Sequence, residues 1–353
     1  MYKLRQEKVF EYMKDKQIRQ LLIYDPLCIF YLTGKYIEPD ERFICLLFKS
    51  NVAYFFVNRL FEVKDETLNL IEFTDYDNPI SLIGTYLEKH PLYVDKLFPA
   101  GFLVPIIHSS PITDVFITNM IDELRLVKDE QEVYLMKESS KINDEAMIEI
   151  AEYLQVGVTE KEIEQKLLEI YISKGASGFS FDPIVSFGKN TSDTHHIPDC
   201  TPLKEGDCIM LDIGCKKEMY CSDMTRMYFY GYNPDSKQKE IFDLVLKAYE
   251  TGEKMCKPGV RLCDIDKACR TVIEKAGYGN CFKHRTGHMI GLETHDFGEV
   301  SQVSELVAKP GMIFSIEPTI MLEEYTIHFE NLVLITENGY EVLNHVSKEM
   351  MIL

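Results

Sequence analysis

The 353-residue sequence predicts an α+β protein of two domains, a smaller α/β domain over residues 1–122 and a larger domain over residues 123–353. Three observations support this prediction. The first part alternates helical and strand-like stretches, the second part contains an internal repeat, and each copy of the repeat ends in a predicted β-hairpin that carries carboxylates. A chain of this length is long enough for each domain to bury its own hydrophobic core.

Composition and charge exclude several classes of function. Hydrophobic residues make up 46% of the chain and charged residues 27%, which is typical of a soluble globular protein. The 57 acidic residues outnumber the 38 Lys and Arg, and a net charge of −19 argues against nucleic acid or an anionic membrane as a partner. The N-terminus has no apolar signal-like segment and the ten cysteines show no paired CxxC spacing, so we expect a reduced, cytoplasmic protein.

The first domain is predicted from its alternating periodicities. Apolar residues recur at helical spacing from Leu4 to Met13. The strand-like and amphipathic runs that follow cover residues 20–24, 42–48, 52–57, 79–87 and 92–94. This alternation favours a small α/β domain. It contains only two histidines and no cluster of acidic residues with histidine, so we interpret it as structural or accessory.

The second domain repeats itself from about residue 154 onward. The repeated residues are Gly157, Val158, Ile163 and Gly175, which recur as Gly259, Val260, Ile265 and Gly277 at a constant offset of 102. Each copy predicts a helix between two glycines, and Thr159 with Glu162 forms a capping-box pattern at the first of these helices. In both copies an apolar strand then follows a glycine. A carboxylate, Asp212 or Glu317, stands at the end of that strand, six residues after the glycine.

The first copy predicts a hairpin with two facing carboxylates. Folding the chain midway between Lys217 and Glu218 sets Asp212 opposite Asp223, with Cβ atoms roughly 5 Å apart. Two like charges at this distance destabilise a sheet unless a cation or a proton lies between them. Exposed strand aspartates without a function are the alternative for this hairpin taken alone.

The second copy predicts the same arrangement. Folding midway between Glu323 and Glu324 sets Glu317 opposite Glu330. One such pair could arise by coincidence, but two pairs in register with an internal repeat favour a functional site over surface carboxylates.

Four carboxylates from two hairpins require cations, and six of the nine histidines are candidate neighbours: His195, His196, His284, His288, His295 and His328. Four carboxylates with one imidazole suit two divalent first-row ions, Mn²⁺ before Co²⁺, Fe²⁺ or Zn²⁺. Two ions ~3.5–4 Å apart can share a hydroxide and polarise a carbonyl group. The Thr-Gly between His284 and His288 argues against a zincin helix.

These motifs resemble those of the pita-bread-fold metallopeptidases, the family of methionine aminopeptidase, Xaa-Pro aminopeptidase and prolidase. That family has two Asp eleven residues apart, a His in Thr-Gly-His-x-Ile-Gly, a Glu in Ile-Glu-Pro and a last Glu. The matching residues are Asp212, Asp223, His288, Glu317 and Glu330. The resemblance covers residues 121–353 strongly and the first domain more weakly. It implies a pita-bread catalytic domain with a pseudo-two-fold repeat, preceded by a creatinase-like N-terminal domain, as in the Xaa-Pro branch.

The resemblance also implies a role for each metal ligand. Asp212 would chelate one ion, and His288 with Glu317 the other. Asp223 and Glu330 would bridge the two ions. In the family the Glu317 position additionally shuttles the proton.

Other residues would act without binding the metal ions. His195 and His295 match the family's two histidines that steady the tetrahedral oxygen and the ends of the substrate. We expect His284, His328 and Thr225 to support the ligands or to contact the substrate. His328 stands where the family commonly has Arg, which leaves substrate preference open.

The expected function is therefore that of a cytoplasmic, dinuclear-metal hydrolase that cleaves the bond before proline in short peptides, closest to prolidase (Xaa-Pro dipeptidase). The resemblance suggests a homodimer. Xaa-Pro aminopeptidase activity on longer peptides is the alternative, because nothing in the sequence fixes substrate length. A non-peptidase hydrolase or lyase of the same fold is a second alternative, against which the complete ligand set argues. A metal-free binding module is a third, and it should have lost several ligands.

Overall fold

The computed structural model describes residues 1–65 and 67–353, which form two compact units, Met1–Leu124 and Arg125–Leu353. Within these residues no helix combines the length and the apolar character that a membrane crossing requires. The two-domain α+β prediction is confirmed by the mixed helix and strand content of the chain.

The described part of the first unit contains a six-stranded mixed sheet in the order β4-β3-β2-β1-β5-β6. Its strands are β1 (Gln20–Ile23), β2 (Cys45–Lys49), β3 (Val52–Asn58), β4 (Asn69–Phe73), β5 (Leu92–Asp95) and β6 (Val115–Thr118). The helices that accompany it are α1 (Tyr2–Asp15), α2 (Pro26–Thr33), α3 (Pro79–Gly84), α4 (Ala100–Ser109) and α5 (Met120–Arg125). The strands predicted at residues 20–24, 52–57 and 92–94 are confirmed, whereas the run at 42–48 becomes a strand only from Cys45.

The second unit contains the helices α6 (Glu130–Ala151), α7 (Glu160–Ser173), α8 (Ser236–Glu253) and α9 (Leu262–Lys275). The strands of its first half are β7 (Gly178–Phe179), β8 (Ile184–Phe187), β9 (Cys208–Ile213), β10 (Cys215–Lys217), β11 (Tyr220–Cys221) and β12 (Met224–Phe229). Those of its second half are β13 (Gly287–Met289), β14 (Asp296–Val300), β15 (Ile313–Ile316), β16 (Thr319–Met321), β17 (Thr326–His328), β18 (Asn331–Ile335), β19 (Tyr340–Val342) and β20 (Met351–Ile352). The two main sheets have the orders β20-β12-β9-β8 and β14-β13-β15-β18-β19.

The internal repeat is confirmed by its two equivalent helices. Both ends of α9 lie 102 residues after the corresponding ends of α7. Gly175 and Gly277 follow the two helices with φ of 84° and 88°, a left-handed conformation that commonly ends a helix. The capping box of Thr159 and Glu162 is also confirmed at the start of α7, whereas α9 begins without a side-chain cap.

Gly277 allows a direct test of this helix ending. A Cβ at Gly277 would meet no atom within 4 Å, so the cost of Gly277→Ala is confined to the left-handed backbone. We expect this change to lower the free energy of unfolding by about 1–2 kcal/mol, measured by denaturant unfolding. Gly339→Ala is the matched control, because its Cβ is equally free but its φ lies outside the left-handed region. Equal destabilisation by both changes would contradict the backbone explanation.

Alternate residues of strand β9 pack into two different cores. Ile209 and Leu211 join the core that contains α6 and α7, whereas Cys208 and Met210 join the core that contains α8 and α9. Because side chains alternate along a strand, Asp212 lies on the face of Cys208 and Met210. The Asp212 carboxylate therefore lies at the end of the face of β9 that packs into the core with α8 and α9.

The first hairpin turns one residue later than predicted. Glu218 and Met219 both have positive φ, 47° and 74°, as in the two-residue type I′ turn that suits twisted strands. Asp212 therefore pairs with Thr225, and the prediction that Asp223 stands directly opposite Asp212 is wrong. A shift of two residues preserves the face on which each side chain lies, so both carboxylates still reach one cavity.

The second hairpin has the predicted register. Strands β15 and β18 pair with this register, and so do β16 and β17, where Thr319 pairs with His328. Glu317 and Glu330 lie opposite each other in the gap between these two ladders. Both side chains line the same cavity as Asp212 and Asp223.

Candidate metal centre

A cavity of about 830 Å³ in the second unit brings together residues from both halves of the repeat. Its lining includes all of the predicted site residues except Thr225: His195, Asp212, Asp223, His284, His288, His295, Glu317, His328 and Glu330. Thr225 lies beside the cavity, where its Oγ1 donates a 3.0 Å hydrogen bond to Oε2 of Glu330. The fold thus collects side chains that lie up to 135 residues apart in the sequence.

The imidazole of His288 lies within 4 Å of three of the four carboxylates. Nε2 of His288 is 3.6 Å from Oδ2 of Asp223, 3.5 Å from Oε1 of Glu317 and 3.8 Å from Oε1 of Glu330. One possible ligand atom from each of Asp223, His288 and Glu330 lies within 4.8 Å of the other two. These three side chains are buried, so the group is shielded from bulk water.

The orientation of His288 is set by the backbone and by a serine. Its Nδ1 lies 3.2 Å from the carbonyl oxygen of Met289, and a hydrogen bond donated there leaves the Nε2 lone pair facing the carboxylates. The backbone N–H of His288 donates to Oγ of Ser315, which in turn donates to Oε1 of Glu317 at 3.2 Å. The sequence prediction missed Ser315. Its position two residues before Glu317, on the same face of a strand, is the signal that could have identified it.

Burial and mutual repulsion raise the pKa values of three carboxyl groups. Burial and the charge of Glu317 raise the pKa of Asp212 to about 6, although His328 opposes this rise. Burial and the charge of Asp212 raise the pKa of Asp223, and burial and the charge of Asp223 raise that of Glu330. Glu317 differs, because the nearby His328 and His288 outweigh its burial and lower its pKa. The three raised groups are therefore unfavourable as anions without a neighbouring cation.

The donor set fits divalent metal ions. Oδ1 of Asp212, Oδ1 of Asp223 and Oε1 of Glu330 are buried and accept no hydrogen bond from any residue that the structure describes. A buried acceptor without a partner is costly, and a cation would both satisfy these oxygens and offset their repulsion. Several carboxylate oxygens with one imidazole nitrogen are ligands for first-row divalent ions.

The two histidines predicted to act without binding metal have different surroundings. The ring of His295 lies 4.3 Å from that of His288, centroid to centroid, and burial together with His288 lowers the pKa of His295 to about 4. His295 is therefore a neutral imidazole near pH 7. His195 is exposed at the cavity lining, on the loop that follows β8.

The remaining predicted residues surround the carboxylates. Nε2 of His328 is 3.6 Å from Oε2 of Glu317, which places His328 beside a candidate ligand. The ring of His284 lies 6.0 Å from that of His328, and its Nδ1 is 2.6 Å from the carbonyl oxygen of Arg285. His284 thus borders His328 and the cavity.

Buried Arg226 links the two hairpins. Its guanidinium donates to the carbonyl oxygens of Thr225 and Glu330 and to the side-chain oxygen of Asn331. Burial lowers the pKa of Arg226 to about 10, so the group keeps its charge at neutral pH. These bonds fix the ligand-bearing end of one hairpin against that of the other.

Comparisons with known proteins extend over nearly the whole chain. The models of metallopeptidase family M24 and of the creatinase/prolidase N-terminal domain match residues 134–337 and 5–127. An uncharacterized peptidase of Staphylococcus haemolyticus is 33% identical over 97% of this chain and 99% of its own length. The structure of a dipeptidase from Pyrococcus horikoshii OT3 is similar with a TM-score of 0.93 and 30% identity, over 99% of this chain and 100% of that one. The structure of the Xaa-Pro dipeptidase from Bacillus anthracis is similar with a TM-score of 0.93 and 25% identity, over 100% of both chains.

Proposed function

This chain belongs to metallopeptidase family M24 and is a metallopeptidase that uses divalent metal ions, and we propose that its substrates are Xaa-Pro dipeptides. The observation that supports metal-dependent hydrolysis is the buried group of Asp223, His288 and Glu330, whose possible ligand atoms lie within 4.8 Å of one another. Similarity to a Xaa-Pro dipeptidase along the complete chain supports the choice of substrate.

We propose the following ligand roles. Asp212 binds one ion, His288 and Glu317 bind the other, and Asp223 and Glu330 bridge them. The unsatisfied buried oxygens of Asp212, Asp223 and Glu330 support these roles. Mn²⁺ is the proposed ion, because an oxygen-rich donor set suits it.

The bound ions would supply an activated water and polarise the scissile carbonyl group. Glu317 would take the proton from that water and pass it to the prolyl nitrogen, which carries no hydrogen in the peptide and must gain one to leave. Ser315 would hold Glu317 for this transfer through its hydrogen bond to Oε1. His195 and His295 would donate hydrogen bonds to the carbonyl oxygen as negative charge develops on it.

A panel of peptides tests the substrate proposal. The Mn²⁺-loaded protein should cleave Ala-Pro and Leu-Pro with a higher kcat/KM than the tripeptide Ala-Pro-Ala or the dipeptide Ala-Ala. Chromatography of the released amino acids measures each reaction. A preference for Ala-Pro-Ala would establish Xaa-Pro aminopeptidase activity, and no cleavage of any Xaa-Pro bond would contradict the proposal.

Xaa-Pro aminopeptidase activity remains the second candidate because of the size of the cavity. Its volume of about 830 Å³ lies near the upper end of the ~300–1,000 Å³ usual for small-ligand sites. A longer peptide would use this space more fully than a dipeptide. The tripeptide in the panel therefore decides between the two activities.

We further propose a cytoplasmic homodimer with domain bounds at residues 1–122 and 123–353. Ten free cysteines support a reducing compartment, because many of them are buried thiols that form no disulfide in the described part of the chain. Light scattering after size-exclusion chromatography would measure the oligomeric state.

Thr225→Val should weaken metal binding without abolishing it. The Thr225 hydroxyl donates to Oε2 of Glu330, and loss of such a partner typically costs 10–100-fold in metal affinity, so we expect a decrease of about that size. Titration of the metal-free protein with Mn²⁺ against a competing chelator would measure it. Thr225→Ser, which retains the hydroxyl, is the control and should bind Mn²⁺ normally. Unchanged Mn²⁺ affinity in Thr225→Val would show that Thr225 does not support the metal ligands.

A further inference from the structure

We propose that Glu160 is a positioning residue for His195, because its buried carboxylate holds the loop of residues 188–199 that carries this histidine. The proposal rests on the catalytic role proposed above for His195. Glu160 is the first residue of α7, and it lies outside the cavity lining. It would therefore act through the loop and not on the substrate.

Glu160 is fully buried and accepts hydrogen bonds at both oxygens. Oε1 accepts from the backbone N–H of Phe187 at 2.8 Å and from Nδ2 of Asn190 at 3.0 Å. Oε2 accepts from the backbone N–H of Asp199 at 3.2 Å and lies 2.6 Å from Nε2 of His196. One carboxylate thus connects the end of strand β8 with three points along the loop of residues 188–199.

These four points enclose His195 on both sides. Phe187 and Asn190 precede it, and His196 and Asp199 follow it. The His195 side chain is exposed, and the described residues anchor His195 through its backbone N–H, which donates to Oδ1 of Asp193. The direction of the His195 ring therefore depends on the path of the loop, which Glu160 fixes.

Glu160, His196 and Asp199 also have the residue types and spacing of a metal site. Their hydrogen bonds argue against that use. Each oxygen of Glu160 already has two partners, whereas the oxygens of the candidate metal centre have unsatisfied positions. Asp199 is exposed, and its Oδ1 accepts from the backbone N–H of Thr201. The first turn of α7 additionally favours the negative charge of Glu160.

The expected effect follows from the precision that catalysis requires. Displacing a catalytic group by about 1 Å can cost ~10²-fold in rate. Glu160→Gln keeps the size of the side chain but replaces one acceptor oxygen with an amide NH2 group. Whichever way the amide is turned, this group faces a backbone N–H donor, that of Phe187 or that of Asp199. We therefore expect kcat on Ala-Pro to fall by about 10²-fold, with KM nearly unchanged and both metal ions retained.

The decisive measurement combines this change with His195→Ala in the full-length, metal-loaded protein. If Glu160 acts through His195, Glu160→Gln should lower kcat in the wild-type background and cause no further loss in His195→Ala. Hydrogen exchange over residues 188–199 should rise in Glu160→Gln, a readout that does not depend on activity. Equal loss of kcat in both backgrounds would show a general structural effect and overturn the proposal.

Two further variants keep the test valid if Glu160→Gln folds poorly. His196→Ala should lower kcat, whereas His196→Gln, which retains an N–H donor, should restore most of it. Glu162→Gln is the matched control, because it changes an exposed carboxylate in the same turn of α7, and Gln can still complete the capping box with Thr159, so kcat should be unchanged.

The remaining outcomes are also informative. A third equivalent of Mn²⁺ that disappears in Glu160→Gln would show a metal site and overturn the proposal, and so would normal kcat in Glu160→Gln. Failure of the wild-type protein to cleave any Xaa-Pro dipeptide would instead contradict the proposed function. Activity of the wild type therefore separates the two failures.

Discussion

Asp223→Ala and Glu330→Ala should each lose metal ions and activity together. Both carboxylates lie within 4 Å of Nε2 of His288, and both have an unsatisfied buried oxygen. Metal ions contribute several kcal/mol of transition-state stabilisation, so kcat/KM should fall by about 10³-fold or more. Elemental analysis of the purified variants, together with Ala-Pro hydrolysis, would measure both losses.

Asp182→Asn is the matched control for these two variants. Asp182 is an exposed carboxylate that lines the same cavity, so its replacement should leave metal content unchanged. The metal-free forms provide a second comparison. Removing one of several repelling carboxylates should leave metal-free Asp223→Ala at least as resistant to heat as the metal-free wild type. Near-full metal occupancy in Asp223→Ala would contradict the bridging role.

His195→Ala and His295→Ala should retain both metal ions and lose turnover. Each ring reaches the cavity, and neither is assigned as a metal ligand. Removal of one donor that stabilises a developing oxyanion typically lowers kcat by 10²–10³-fold, and we expect a loss of about this size for each variant. Steady-state kinetics on Ala-Pro and elemental analysis of the same samples would measure it.

The control for the histidine variants is His345→Ala, which removes an exposed imidazole outside the cavity lining. It should leave both kcat and metal content unchanged. Loss of metal from His195→Ala or His295→Ala would show that the histidine is needed for metal binding. Normal turnover would exclude it from the reaction.

The two hairpins show which features of the site could be predicted from the sequence: the face on which each carboxylate lies in both hairpins, and the strand register in one of them. The second hairpin was predicted in its correct register, because its apolar strands are symmetric about Glu323 and Glu324. The first was shifted by two, because its type I′ turn uses Glu218 and Met219 instead of the Asn-Gly or Asp-Gly that normally indicates it. The carboxylates were still placed on one face, since a shift of two residues preserves side-chain direction.

The tertiary partners of a buried residue could not be predicted from the sequence. Arg226 directly follows Thr225 in the first hairpin and can be expected to support that hairpin, but nothing in the sequence identifies its partners. Its guanidinium is buried and bonds to groups about 105 to 120 positions away. Glu160 likewise appears as a helix N-terminal acid, a position where glutamate is common without any further role. Neither residue has a local pattern that marks its partners, because those partners are set by the fold alone.

The division of strand β9 between two cores bears on how such a chain could have originated. A chain that ended after β12 would expose Cys208, Met210, Met227 and Phe229, which the second half now covers. An apolar face of this kind requires a partner, so an ancestral single repeat could persist in water only by pairing with a second copy. Two-fold pairing would gather equivalent carboxylates, as Asp212 and Glu317 are now, around the symmetry axis. Gene duplication and fusion would then free each half to diverge, and His288, as a ligand of one ion only, would make the two proposed ion positions chemically unequal.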